Sequence, residues 1–155
     1  MQIKIMNNRI ILLSCLLFSS CAFSTNIDFN SNESVNLGEH LVSLDSDSCS
    51  IELSGVIKTL DIEGKCVFIK KDQTSEVKTY HFDDIESEVA IVIGNNIVND
   101  PEYPITSKRS DCGDVLVGIT VNKSGDIKLK TSENSSIYCA GTGAEEPLYW
   151  VLSHD

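Results

Sequence analysis

The chain has 155 residues, of which 12 are basic and 23 are acidic, and its formal net charge is −11 at pH 7. This length predicts one domain, because domains usually contain roughly 100–200 residues. Such an excess of acids repels phosphate backbones, so we expect no nucleic-acid partner, whereas it favours solubility and rapid encounter with basic proteins.

The first two dozen residues have the pattern of a secretory signal peptide. A short start with Lys4 and Arg9 precedes the apolar run 10–18, and small residues follow that run. The run is shorter than the ~20 apolar residues that span a bilayer. We therefore predict a signal peptide over residues 1–24 and export to the bacterial periplasm or envelope. Without that segment, the net charge becomes −13.

Two cleavage sites compete within this segment. Residues 22–24 fit a small-x-small pattern, which would make Thr25 the first mature residue. Alternatively, residues 18–21 resemble the lipobox of bacterial lipoproteins, although Phe18 stands where leucine is usual. This resemblance implies lipidation of Cys21, and such a lipid would anchor the domain to a membrane without a transmembrane helix.

Strand patterns dominate the rest of the chain. Residues 25–33 are polar and predict a flexible linker, so a single β-rich domain is expected over residues 34–155. Alternation of apolar and polar side chains, or short apolar runs between turn residues, predicts strands. The strands predicted in the first half of the domain lie at 40–44, 51–58, 65–71, 77–82 and 88–93.

A long loop and a hairpin follow. Residues 94–111 contain several asparagines and two prolines and predict a loop of a length that is often functional. Strands are then predicted at 115–121 and 126–131, joined by a two-residue tip at Ser124-Gly125.

The last segment, 148–152, is predicted as a strand. A helix over 143–152 is the alternative, with Pro147 in its first turn, where proline is tolerated. Seven or eight short strands with regular turns predict an all-β, mainly antiparallel domain. A small β-barrel and a β-sandwich both fit this pattern, and an OB-like barrel is one option.

Four cysteines follow the signal peptide, and an even number in an exported chain indicates disulfides. We favour pairing between sequence neighbours, Cys49 with Cys66 and Cys112 with Cys139. The predicted hairpin supports the second pair, because its register places Cys112 opposite Ile137, two residues from Cys139. A small bulge would then bring the two Cα atoms within the ~7 Å that a disulfide allows.

Catalytic motifs are absent from the sequence. It contains no CxxC, HExxH or GxSxG pattern. The histidines are His40, His81 and His154, and His154 lies in the run Ser153-His154-Asp155. This run carries no weight, because a catalytic triad is assembled in space and not in sequence. We therefore predict no catalytic residue, no cofactor and no metal site.

Acidic residues near aromatic ones indicate a protein interface with a basic partner. One group lies in the long loop, and a second lies near Tyr149 and Trp150, although Trp150 itself is expected in the core. The residues predicted to bind a partner are Asp100, Glu102, Tyr103, Asp111, Glu145 and Glu146.

The expected function is that of a non-enzymatic binding protein, more narrowly an inhibitor or immunity protein against a basic secreted enzyme or toxin. Size, export, disulfides and acidity motivate this expectation, by analogy with that class of protein. A structural or accessory envelope lipoprotein is the second hypothesis, and a small envelope hydrolase is the third. The sequence leaves the partner and the oligomeric state open.

Overall fold

The fold is that of a computed structural model, which describes residues 33–72, 74–94, 111–142 and 144–154. The predicted signal peptide, Cys21, residues 25–32 of the predicted linker, and Asp100, Glu102 and Tyr103 lie outside the described residues. Within them the chain forms nine strands and one α-helix. These are β1 (Glu33–Leu37), β2 (His40–Asp45), β3 (Ser50–Leu53), β4 (Val56–Thr59), β5 (Cys66–Phe68), β6 (Thr79–Phe82), β7 (Ser87–Gly94), β8 (Cys112–Asn122), β9 (Ile127–Cys139) and α1 (Glu146–Ser153).

The strands belong to two antiparallel sheets. The first four form a meander in the order β1-β2-β3-β4, which we call the N-terminal sheet. The other five form the central sheet, in which β5 and β6 both pair with β7, and β8 and β9 follow. The all-β, antiparallel prediction is confirmed. The barrel alternative, including its OB-like form, is wrong, because the two sheets stay separate and no barrel closes.

Three layers result, because the central sheet is covered on both faces. Successive side chains of a strand point to opposite faces, so Ala90 and Val92 pack with the N-terminal sheet. Val89 and Ile91 pack instead with α1. This double burial explains why β7 is a continuous apolar run rather than an alternating one.

The predicted strand 51–58 is wrong, because a tight turn divides it into β3 and β4. Ser54 and Gly55 both have positive φ angles, 51° and 82°, as a two-residue type I′ hairpin turn requires. The turn changes the register, so that Ile57 pairs with Glu52 and lies on the face opposite to that of Ile51 and Leu53. Ile57 is therefore 46% exposed, although the alternation predicted that it would be buried.

The C-terminal segment is a helix, so the predicted strand 148–152 is wrong and the alternative is correct. Pro147 lies in the first turn of α1, where its missing N–H leaves no helical bond unmade. Tyr149 and Leu152, three residues apart, lie on the same helix face and are buried against the central sheet. Gly118 of β8 makes this approach possible, since a Cβ there would lie 2.7 Å from the Cβ of Leu152.

The β8–β9 hairpin differs from its predicted register by one residue. Val121 pairs with Ile127, and the tip is a three-residue loop in which Gly125 has a φ of 84°. The Gly125 N–H donates to the Asn122 carbonyl at 2.9 Å, as in a tight turn followed by a left-handed glycine. A register shift between Gly113 and Val115 then brings Cys112 opposite Cys139, as the expected bulge requires.

Two disulfides are present, and their pairing is the one that the sequence favoured. Cys112 and Cys139, with Cα atoms 3.9 Å apart, close the open end of the β8–β9 hairpin. Cys49, in the turn between β2 and β3, bonds to Cys66 of β5, with Cα atoms 5.6 Å apart. This second bond therefore joins the two sheets covalently.

Glu33 joins the same two sheets without a covalent bond. Its carboxylate accepts a hydrogen bond from the Phe68 N–H at 3.0 Å and pairs with the Lys70 ammonium at 2.5 Å. Glu33 is the last residue of the predicted linker, but it is the first residue of β1 in the structure. Among the described residues, no helix has the length and apolar character needed to cross a membrane.

Candidate protein-binding surface

The outer side of α1 presents large apolar side chains beside carboxylates. Trp150 is 50% exposed and Val151 is 52% exposed, and the carboxylates of Glu145 and Glu146 are exposed at the start of the same helix. We call these four residues the α1 surface. The prediction that Trp150 is a core residue is wrong, because the helix turns Tyr149 inward instead.

His154 holds the Trp150 side chain in place. The imidazole stacks on the indole, with ring centroids 4.5 Å apart and planes inclined by 14°. Its Nδ1 lies 2.9 Å from the Trp150 carbonyl oxygen, and its Nε2 lies 3.0 Å from an Asp84 carboxylate oxygen. The Phe82 ring meets the imidazole edge-on at 5.2 Å. One face of the indole is therefore covered by a fixed partner, which restricts the motion of an otherwise exposed side chain.

The two glutamates of the α1 surface keep their charge unneutralised. Neither Glu145 nor Glu146 has an ion-pair partner among the described side chains, and Glu146 is placed favourably in the first turn, where the helix dipole is positive. Several lysines elsewhere are already engaged by acids. These pairs are Lys65–Asp47, Lys70–Glu33, Lys71–Glu76 and Lys123–Glu86.

The pKa values reflect this local pairing. A hydrogen bond and the charge of Lys71 lower the pKa of Glu76, and Lys123 lowers the pKa of Glu86 in the same way. The surplus of carboxylates over ammonium groups therefore remains at other positions, including the α1 surface.

Asp111 is the one residue of the predicted loop group that the structure describes. It is half-buried and directly precedes Cys112. Cys112 pairs with Cys139 at one end of the central sheet, so Asp111 lies at that end. The chain leaves β9 at the same end, before Glu145. The structure thus describes three of the six predicted residues, Asp111, Glu145 and Glu146.

A pocket of about 340 Å³ opens between the two sheets at the other end of the molecule. We call it the inter-sheet pocket. It lies between the β1–β2 turn and the tip of the β8–β9 hairpin. Its lining residues are Leu37, Gly38, Glu39, His40, His81, Glu86, Glu88, Val121, Asn122 and Lys123.

Sequence reasoning missed this pocket. Its walls come from segments far apart in the chain, and only the strand order brings them together. Alternation along β7 does place Glu88 on the same face as Ala90, which is the face that meets the N-terminal sheet. That signal indicates an inward-facing acid, but not the residues that surround it.

In comparisons with known proteins, no family model, no curated protein and no solved structure matches this chain. What the chain does is therefore inferred from its own residues and geometry.

Proposed function

We propose that this chain is an exported, non-enzymatic binding protein that docks on a basic protein through the α1 surface. More narrowly, we propose that it inhibits or neutralises a basic secreted enzyme or toxin. The observation that carries the proposal is the half-exposed Trp150, fixed by His154, on a helix whose glutamates have no basic partner among the described side chains.

Each part of this surface has a role in binding. Tryptophan is one of the residues that most often dominate the energy of an interface. Glu146 precedes Trp150 by four residues, so both project from the same side of the helix. Carboxylates beside the anchor raise the rate of encounter with a basic partner and select against acidic ones. Because His154 already restricts the indole, less side-chain entropy is lost on binding.

The disulfides support the proposed compartment. Disulfides persist in oxidising environments such as the bacterial periplasm and are rare in the cytosol. The proposal holds for a soluble periplasmic protein and also for one tethered through a lipid on Cys21. In both cases the described domain reaches its partner in the same compartment.

The test starts from partner capture. Immobilised protein is incubated with extract of the native envelope at low salt, and captured proteins are identified and purified. We expect a basic protein whose binding weakens as salt rises, because exposed charges are screened. Capture of acidic proteins alone, or of none, would contradict the proposal.

Variants then locate the contact on the purified partner. We expect Trp150→Ala to weaken binding by about 30-fold, as for a residue at the centre of an interface. Leu41→Ala is the matched control, because Leu41 is similarly exposed but lies on the N-terminal sheet. If the two variants bind the partner with equal affinity, the α1 surface is not part of the interface.

A further inference from the structure

We infer that the inter-sheet pocket binds an aliphatic chain that ends in a cationic group, an ammonium or a guanidinium. Such a chain occurs in small alkyl amines and in the side chains of lysine and arginine. This pocket lies on the face of the central sheet opposite to the face that α1 covers. The inference therefore goes beyond the proposed function and is tested independently of it.

The walls of the pocket suit an alkyl chain. Leu37 and Val121 line it and belong to the apolar core between the sheets. A volume of about 340 Å³ is at the small end of ligand pockets, which span roughly 300–1,000 Å³. The pocket therefore accommodates one side chain or a ligand of that size more readily than a large cofactor.

The charges of the pocket favour a cation. Three carboxylates, from Glu39, Glu86 and Glu88, line it together with one lysine, Lys123. The Lys123 ammonium lies 2.9 Å from the Glu86 carboxylate, and this pair lowers the pKa of Glu86 and raises the pKa of Lys123. Lys123 is thus engaged by Glu86 and leaves the charge of Glu88 uncompensated.

Glu88 is the carboxylate placed to meet that cation. It is half-buried in β7, directly opposite His81 on one side and Val121 on the other. The His81 Nε2 is directed at Asp83, 3.1 Å away, and His40 is directed at the Lys123 carbonyl oxygen, 3.2 Å away. The Glu88 carboxylate forms no hydrogen bond or ion pair with another described residue. A partly desolvated carboxylate of this kind gains from an opposite charge more than an exposed one does.

The experiment is a ¹H–¹⁵N NMR titration of the full exported domain. The probes are n-butylammonium chloride and, as the neutral match, 1-butanol, with NaCl used to hold ionic strength constant. We expect n-butylammonium to shift the amides of residues 37–40, 86–88 and 121–123. We expect 1-butanol to shift them much less, because it lacks the charge that Glu88 would pair with.

Two variants and one control test the role of the carboxylates. We expect Glu88→Gln to weaken n-butylammonium binding about tenfold, as for loss of a charge-assisted contact. Glu39→Gln, at an exposed position in the β1–β2 turn, should weaken it about twofold. Glu63→Gln removes the same charge at an exposed position outside the pocket and should leave binding unchanged.

A second arm separates the two sources of the cation. The capped peptide Gly-Gly-Lys-Gly-Gly is titrated in the same way. If it binds with the same shifts, the pocket takes a protein side chain; if only n-butylammonium binds, it takes a free amine. The inference is overturned if 1-butanol matches n-butylammonium, if the shifts lie elsewhere, or if the Glu39 and Glu88 variants bind like the control.

Discussion

Two adjacent aromatic residues of α1 have opposite environments. Tyr149 is fully buried, and its hydroxyl donates a hydrogen bond to the Lys78 carbonyl at 3.2 Å, while its ring lies 4.7 Å from that of Tyr80. Trp150, the next residue, is half exposed. A rotation of about 100° per helical residue separates them. The orientation of the helix, rather than the residue types, therefore decides which ring is core and which is available to a partner.

Tyr149 also makes stability depend on pH. Burial raises the pKa of its hydroxyl above the usual value of 10.0. The folded state thus favours the neutral form, and the stability that this contributes is complete below pH 10 and is lost as the pH rises further.

We expect Tyr149→Phe to lower the free energy of unfolding by about 1 kcal/mol at pH 7, through loss of the hydrogen bond. Because phenylalanine cannot ionise, the difference between the two proteins should shrink above pH 10. Urea unfolding at several pH values from 7 to 11 measures both quantities. A difference that stays constant across this range would contradict the assigned burial.

At the scale of elements, the contact between α1 and β8 depends on the absence of a side chain. A Cβ added to Gly118 would lie 2.7 Å from both the Cβ and the carbonyl oxygen of Leu152. Real Cβ atoms do not approach other atoms so closely, so the helix would have to move away from the sheet.

We expect Gly118→Ala to destabilise the protein by about 1–3 kcal/mol, the usual cost of overpacking. Gly141→Ala is the matched control, because a Cβ there meets no atom within 4 Å. Thermal unfolding followed by circular dichroism gives both values. Equal melting temperatures for the two variants would show that α1 does not rest on β8 as described.

The sequence predicted some elements well, for definite reasons. The run at 88–93 is apolar at nearly every position, and β7 is buried on both faces, so its signal is unambiguous. The sequence did not predict that the turn at Ser54-Gly55 divides strand 51–58 into β3 and β4, because a two-residue turn leaves the alternation of apolar and polar residues almost unchanged. Residues 148–152 are too few to distinguish a helix from a strand by periodicity. Predicting the inter-sheet pocket would have required the strand order, which no local sequence pattern contains.

At the scale of the whole molecule, the two disulfides constrain different parts of the fold. Cys112–Cys139 lies within one hairpin, whereas Cys49–Cys66 connects the N-terminal sheet to the central sheet. They close loops of similar length, with sequence separations of 27 and 17 residues. If only loop entropy matters, the two disulfides therefore contribute similar amounts to the free energy of unfolding.

We expect the double substitutions Cys49→Ala with Cys66→Ala, and Cys112→Ala with Cys139→Ala, each to reduce the free energy of unfolding by about 3 kcal/mol. Urea unfolding without reductant measures the loss, and wild-type protein treated with reductant should approach the combined effect. A loss well under 1 kcal/mol in either variant would contradict a crosslink in the folded protein.

The double coverage of β7 has a consequence for the chain before it folds. Residues 89–93 form an uninterrupted apolar, mostly β-branched stretch without charge, and in the folded molecule they are hidden by a sheet on one side and a helix on the other. Short stretches of this composition readily stack into intermolecular strands when they are unprotected. We therefore expect the segment at the centre of the native molecule to promote aggregation of unfolded copies, so that rapid assembly of its cover protects the chain.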